Sequence, residues 1–198
     1  NDNGATAGHL TLVSGTRTLS SFTFQTAGTR TITATPTSGT LTASTSGNIT
    51  VNAGAFTKLQ LLVPGETAVA GVSPGKSGTP STQTTGNAFS VTVNAVDAYW
   101  NIANTVNDTV RITSNDGTAT LPTDAALVSG TRAFSVTLNV IAGTATLTAS
   151  DITDGLKSPD TSPAITVNSS PNITSQPSSQ TVCTGSSASF SVTATGSG

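Results

Sequence analysis

The chain has 198 residues and a formal net charge of -2, and only 8% of its residues are charged. Its few basic residues are too scattered to follow a phosphate backbone, so the composition disfavours nucleic-acid binding. No apolar run approaches the length of a membrane-spanning helix. Threonine and serine make up about a third of the residues. Valine, isoleucine and threonine alternate in runs, which is typical of β-sheet with polar, uncharged outer faces.

Short strand signals separated by Gly, Asn, Asp and Pro recur along the chain, which predicts an all-β fold of the sandwich type. Residues 1–52 carry four such signals, and residues 53–168 form the longest continuous set. Within the longer set, residues 71–86 are rich in Gly, Pro, Ser and Thr and are predicted to form a surface loop. The strands predicted for the longer set are residues 56–63, 88–96, 109–113, 118–121, 133–140, 144–149 and 164–167.

One phrase returns unchanged: LVSGTR stands at residues 12–17 and again at residues 127–132. Two later phrases, AGT and ITVN, recur with nearly the same separation of about 115 residues. Self-similarity at a domain-sized interval indicates a tandem array. We therefore expect residues 1–52 to be the second half of one repeat and residues 53–168 to be a whole repeat. Residues 169–198 are expected to be the first strands of a further unit.

Particular phrases resemble a known family. Residues 88–101 read AFSVTVNAVDAYWN and resemble the second strand and following turn of bacterial immunoglobulin-like repeats of the invasin and intimin type. Residues 112–122 and 142–149 resemble later parts of the same repeats. The resemblance implies tandem immunoglobulin-like β-sandwiches, one complete and two partial in this chain. Trp100 departs from the pattern, because these repeats usually carry Gly at that position.

Residues 169–198 resemble the opening of an immunoglobulin-superfamily domain, as in large secreted proteins of Bacteroidetes-like bacteria. The phrases PNITSQP, QTVC and GSSASFSV carry this second resemblance. Cys183 is the sole cysteine, so no disulfide can close within the chain. The resemblance implies a disulfide between Cys183 and a cysteine outside these residues, and the alternative is a buried free thiol.

Both resemblances imply an extracellular protein of the bacterial cell surface. The leading hypothesis is a structural repeat segment of an adhesin, stalk or fibre that extends or polymerises from the cell. Its partners would be neighbouring immunoglobulin-like domains or identical chains. One alternative is a module that binds a glycan or a receptor through the end loops around Tyr99 and Trp100. Another alternative is a filament subunit that is completed by strand exchange between chains.

The inventory of reactive residues argues against an enzyme. His9, Glu66 and Cys183 are each the sole residue of their type. Residues 53–168 contain no histidine, so a Ser-His-Asp set cannot be built there. The sequence therefore predicts no catalytic residue.

Calcium is the one cofactor for which the sequence offers a candidate. Calcium takes six to eight oxygen ligands, often from several carboxylates. Asp151 and Asp154, spaced as Asp-x-x-Asp-Gly, are the best candidate ligands, although turn capping by aspartate is favoured by the irregular spacing. The aspartates in predicted inter-strand loops are Asp97, Asp108, Asp116, Asp124, Asp151, Asp154 and Asp160.

Two further sites are candidates. Tyr99 and Trp100 are adjacent aromatic residues in a predicted end loop, where they suit glycan stacking or contact with a neighbouring domain. The alternative is an indole that folds back over the end of its own sandwich. Thr109 lies in the phrase Asp-Thr-Val, which resembles the short O-glycosylation signal of Bacteroidetes surface proteins.

Overall fold

The structure is a computed structural model, and it describes Asp2, Gly8 and residues 10–19, 21–140 and 142–196. These residues form an all-β protein, which confirms the predicted all-β sandwich fold. In the described part of the chain no helix is long and apolar enough to cross a membrane. The strands are β1 (Gly28–Arg30), β2 (Thr33–Ala34), β3 (Ser44–Thr45), β4 (Ile49–Val51), β5 (Lys58–Leu62), β6 (Glu66–Ala68), β7 (Lys76–Gly78), β8 (Gln83–Thr84), β9 (Ala88–Val96), β10 (Thr109–Ser114), β11 (Ala125–Ala126), β12 (Thr131–Thr137), β13 (Gly143–Ala145), β14 (Leu147–Asp151), β15 (Asp160–Thr161), β16 (Ile165–Asn168), β17 (Asn172–Ser175) and β18 (Thr193–Thr195).

Residues 53–168 hold the hydrophobic core. One sheet has the strand order β12-β9-β5, a second has the order β11-β10-β14-β15, and a third has the order β13-β16-β8. Their inward side chains meet in a single cluster in which Leu61, Val93, Val110 and Leu147 are fully buried. Burial of each such side chain away from water contributes about 1.5–3 kcal/mol to the free energy of unfolding. β9 is the middle strand of the first sheet, where it pairs with β12 and β5.

The strand predicted at residues 118–121 does not form. A single bridge between Thr120 and Thr137 is all that remains of it. The Asp116 carboxylate explains the difference, because its Oδ2 accepts the backbone N–H of Asn139 at 2.7 Å and that of the following residue at 2.9 Å. A side chain therefore satisfies donors that a continuous ladder would have used.

The sequence led us to expect a surface loop at residues 71–86, but part of this segment pairs with other strands. The segment contributes β7, which pairs with β6, and β8, which runs parallel to β16. Gly75 is buried within it. In this segment glycine allows close packing of the backbone. A glycine-rich sequence of this kind is easily taken for a loop.

The segments on either side of the core carry only small sheets. In residues 1–52 the described strands pair as β1 with β4 and as β2 with β3. Residues 169–196 contain the pair β17 and β18, whose residues are all exposed.

Candidate functional site

Several loops meet at one end of the sandwich. β5 begins where β9 ends, because Lys58 pairs with Val96, and β10 begins where β14 ends, because Val110 pairs with Asp151. A backbone hydrogen bond from Leu59 to the carbonyl oxygen of Ser158, at 2.9 Å, joins the loop after β14 to β5. We call this region the junction end and define it as residues 53–57, 97–108 and 152–158.

Asp97 ties the junction end together. Asp97 is 4% exposed, and its carboxylate accepts the backbone N–H groups of Gly54 at 2.7 Å, Tyr99 at 2.8 Å and Asn101 at 3.0 Å. Burial alone would raise the pKa of Asp97, but these hydrogen bonds outweigh burial and hold the pKa below its ordinary value. Asp97 therefore stays ionised and fixes the loop to the chain that enters β5.

Asn101 connects this loop to residues 1–52. Its Oδ1 accepts the backbone N–H of Ala27 at 2.7 Å, and its Nδ2 donates to the carbonyl oxygen of Gln25 at 2.9 Å. Asn101 is 5% exposed, so both bonds are shielded from water. The sequence analysis did not single out Asn101. Its position at the end of the phrase Asp-Ala-x-x-Asn, residues 97–101, could have pointed to it.

Trp100 covers the neighbouring backbone. Its φ angle is +67°, in the left-handed region that glycine adopts most easily, which agrees with Gly being usual at this position in the repeats that the sequence resembles. The indole is half-buried, packs on Gly75 and carries Lys58 Nζ 3.7 Å from its ring centroid. Tyr99 beside it is 43% exposed. The two aromatic residues together with Gln25 and Val72 line a cavity of about 250 Å³.

An acidic cluster includes two residues of the junction end, Asp108 and Asp154. Ligand oxygens of Asp108, Asp151 and Asp154 lie within 4.8 Å of one another. Asp151 is 6% exposed, and its Oδ2 is buried with no hydrogen-bond partner among the described residues. Burial raises the pKa of Asp151, and the hydrogen bond from the Thr153 backbone N–H opposes it. The interaction with Asp154 and the charge of Asp108 raise the pKa again, so it lies above its ordinary value. The cluster unites the two residues predicted to hold calcium and adds Asp108 to them.

The remaining predicted aspartates form turns or ion pairs. Burial would raise the pKa of Asp116, but hydrogen bonds from Thr118, Asn139 and Val140 lower it to about 2. The Arg111 guanidinium holds the pKa of Asp124 below its ordinary value through a hydrogen bond of 2.7 Å. Asp116 therefore caps its turn.

A second ionic group, largely shielded from water, lies beside β5, and the sequence reasoning missed it. We call Glu66, Lys76 and Asp160 the internal triad. Lys76 Nζ lies 3.0 Å from Asp160 Oδ2 and 3.9 Å from Glu66 Oε1. The side chains are only 2% exposed for Glu66, 12% for Lys76 and 17% for Asp160. Glu66 is the sole glutamate in a chain with only 8% charged residues, and this rarity could have pointed to the triad.

Three other predicted positions lie apart from these groups. Thr109 is half-buried at the start of β10, where its N–H donates to Thr153 Oγ1 at 2.7 Å. Cys183 is an exposed free thiol, so the alternative of a buried thiol is wrong. That alternative stood beside a disulfide to a cysteine outside these residues, and residues 170–196 are all exposed here. His9 lies outside the described residues.

Comparisons with known proteins add no family. A scan against protein-family models found no match to this chain, and a search of curated proteins found no similar sequence. The fold and the junction end therefore define an all-β sandwich protein with a neighbouring segment docked on its end loops.

Proposed function

We propose that the chain is a structural repeat segment of a large extracellular bacterial surface protein. In this proposal it is a spacer that extends an adhesin, stalk or fibre away from the cell, and it is not an enzyme. The observation that carries the proposal is the Asn101 contact. One side chain, buried at the end of a sandwich, makes two hydrogen bonds to backbone groups of the preceding segment.

The contact supports a spacer because it restricts rotation between consecutive units. Asn101 is itself held by Asp97, and Asp97 also holds Gly54 in the connecting chain. Two bonds from one buried amide fix direction as well as distance. Each sandwich of this kind adds on the order of 30–40 Å of length, from about ten residues of strand and a connection. If the angle between consecutive units is fixed, the lengths of the units add along one direction and the protein extends further from the cell.

Composition agrees with an exposed, repetitive role. With only 8% charged residues, laterally packed copies would repel one another little, which favours bundling into fibres. The recurrence of LVSGTR at residues 12–17 and 127–132 supports a tandem array. Neighbouring units of the same kind are therefore the proposed partners.

Asn101→Ala tests the proposal. Removal of both hydrogen bonds should let residues 28–51 reorient independently of residues 88–151. We expect one rotational correlation time for both segments in the wild-type chain and two different times in the variant, measured by ¹⁵N relaxation. Asn104→Ala is the matched control, because Asn104 is exposed in the same loop, and this variant should behave as wild type. Two correlation times in the wild-type chain would contradict the proposal.

A second candidate function is calcium binding at the acidic cluster. The specific observation is the buried Oδ2 of Asp151, which lacks a hydrogen-bond partner among the described residues and belongs to a group of three carboxylates. A buried acceptor without a partner is costly, and a cation bound between the carboxylates would satisfy it. Asp108, Asp151 and Asp154 would hold the ion, with water completing six to eight oxygen ligands. Bound calcium would stiffen the junction end, where Asp108 and Asp154 lie.

Calcium titration of the chain tests this second candidate. We expect a Kd of about 0.1–1 mM, which is typical of extracellular modules. Asp151→Asn should abolish binding, while Asp124→Asn, which alters an exposed carboxylate paired with Arg111, should leave it unchanged. Lys157→Gln should tighten binding, because Lys157 Nζ lies 3.0 Å from Asp154 Oδ2 and competes with the ion. Equal heats of binding for wild type and Asp151→Asn would exclude the site.

A further inference from the structure

Exposed apolar side chains gather at the junction end. In the described part of residues 53–168, the large apolar side chains that are exposed all lie in the junction end or in two segments bonded to it, residues 71–72 and 127–130. They stay exposed while the preceding segment is docked on Asn101. The residues are Val72, Tyr99, Ile102, Val128, Ile152 and Leu156. Exposed apolar side chains that gather in this way mark an interaction surface.

The loop after β14 places two of these side chains beside the acidic cluster. Ile152 follows Asp151 directly in the sequence. The backbone N–H of Leu156 donates to Asp154 Oδ1 at 2.8 Å. Leu156 is 80% exposed, more than any other large apolar side chain that the structure describes. A carboxylate of the acidic cluster therefore also fixes the backbone that holds Leu156 out in the solvent.

An ion in the acidic cluster would remain open to ligands from outside the protein. The carboxylates of Asp108, Asp151 and Asp154 supply three to six oxygens, whereas calcium takes six to eight. The buried Oδ2 of Asp151 has no hydrogen-bond partner among the described residues, so it would bind the ion from within. The side chain of Asp154 is 40% exposed, which leaves the cluster accessible from the solvent. The cluster therefore suits a partner that presents anionic oxygens to a bound ion.

We propose that the junction end binds an anionic phospholipid surface when calcium occupies the acidic cluster. Oxygens of the lipid headgroups complete the coordination of the ion, and Leu156 and Ile152 insert at the boundary between the headgroups and the acyl chains. This inference rests on calcium binding by the cluster, the second candidate function above, and it adds a ligand that the spacer function does not include.

Charge makes this binding depend on calcium. Without an ion, the three carboxylates outnumber the ammonium group of Lys157, which lies 3.0 Å from Asp154 Oδ2, and the excess negative charge repels anionic headgroups. A divalent cation balances that excess and attracts the headgroups to the same place. Calcium binding and vesicle binding then strengthen each other by the same factor, because the two equilibria are linked.

The form of the exposed side chains favours a lipid surface over a protein partner. Leu156 and Ile152 both extend from a single loop into solvent. A fluid acyl boundary accepts such side chains without a matching pocket, whereas a protein interface needs complementary packing. Tyr99, which is 43% exposed at the same end, suits the headgroup level, where aromatic residues with one polar end are enriched.

Sedimentation with vesicles tests the proposal. The 198-residue chain is mixed with vesicles of phosphatidylserine and phosphatidylcholine in about 2 mM calcium, above the Kd of about 0.1–1 mM expected for the cluster. We expect the chain to sediment with these vesicles, to be released by EGTA, and to bind vesicles of phosphatidylcholine alone at least about tenfold more weakly. Binding that persists in EGTA, or equal binding to both kinds of vesicle, would overturn the proposal.

Calorimetry without vesicles separates this inference from the calcium site on which it rests. If the chain gives a heat of calcium binding but does not sediment with vesicles, lipid binding is overturned and the calcium site stands. If the chain gives no heat of calcium binding, both are overturned. The spacer function depends on the Asn101 contact and is unaffected by either result.

Leu156→Ser separates insertion from ion binding. Because Leu156 is 80% exposed, the variant should fold as the wild type does and give the same heat of calcium binding. Its affinity for the phosphatidylserine vesicles should fall at least about tenfold, since the leucine side chain no longer leaves water for the acyl boundary. Leu41→Ser is the matched control, because Leu41 is 76% exposed outside the junction end, and its vesicle binding should be that of the wild type. Unchanged vesicle binding by Leu156→Ser would show that the loop does not insert, which contradicts the proposal.

Discussion

Lys76→Met should destabilise the sandwich by about 2–3 kcal/mol. This is less than the loss of about 3–5 kcal/mol for a fully buried ion pair, because the side chains of Lys76 and Asp160 keep some contact with water. The variant leaves the carboxylates of Glu66 and Asp160 shielded from water without a cation. It also removes the donor that the carbonyl oxygen of Leu61 accepts. Urea unfolding monitored by circular dichroism measures the loss in the free energy of unfolding.

Two controls identify the cause. Arg111→Met removes the cation of an exposed ion pair and should cost less than about 1 kcal/mol. Combining Lys76→Met with Glu66→Gln and Asp160→Asn removes the unpaired charges, and the triple variant should regain part of the lost stability. If Lys76→Met costs no more than Arg111→Met, the internal triad does not stabilise the fold.

Gly75→Ala should have the second large effect. A Cβ atom at Gly75 would lie 2.0 Å from Cδ2 of the Trp100 indole, a distance so short that the ring would have to move. The residue also has a φ angle of +81°, which costs a non-glycine residue about 1–2 kcal/mol. We expect a total loss of more than about 2 kcal/mol, together with a red shift in tryptophan emission. Trp100 is the sole tryptophan, so the emission spectrum reports on its surroundings alone.

Gly86→Ala is the matched control for this prediction. Gly86 has a φ angle of +76°, close to that of Gly75, but no atom lies within 4 Å of the position that a Cβ atom would take there. The control therefore carries the backbone cost alone and should leave the emission maximum unchanged. Equal losses for the two variants, with no spectral shift in Gly75→Ala, would show that the indole does not pack on Gly75.

Local patterns in the sequence were sufficient for the central strand. Residues 88–96 alternate apolar and polar side chains, and the observed β9 has the same bounds. Such alternation is informative because the apolar face of the strand packs on the core and the pattern repeats every two residues. The pattern does not reveal that Asn94 on the polar face is also buried, where it donates to Gln60. Where one polar side chain replaces a ladder, as Asp116 does for the predicted strand at residues 118–121, the pattern cannot reveal the outcome.

Long-range contacts set the limit of prediction at the site. Asn101 contacts Gln25 and Ala27, and only the folded chain brings these residues together. The internal triad likewise joins β6, β7 and β15. Asp151 and Asp154 could be singled out because they are neighbours in sequence. Asp108 could not be grouped with them, because it reaches them only through the pairing of β10 with β14.

The distance between the two segments that meet at the junction end is the most direct test of the proposed spacer. Nitroxide labels at Ser44 and Ser135, both exposed, report this distance by double electron–electron resonance in a chain that also carries Cys183→Ser. We expect a single narrow distance distribution that broadens in Asn101→Ala. A broad distribution in the chain that retains Asn101 would contradict it, because the two units would then move independently.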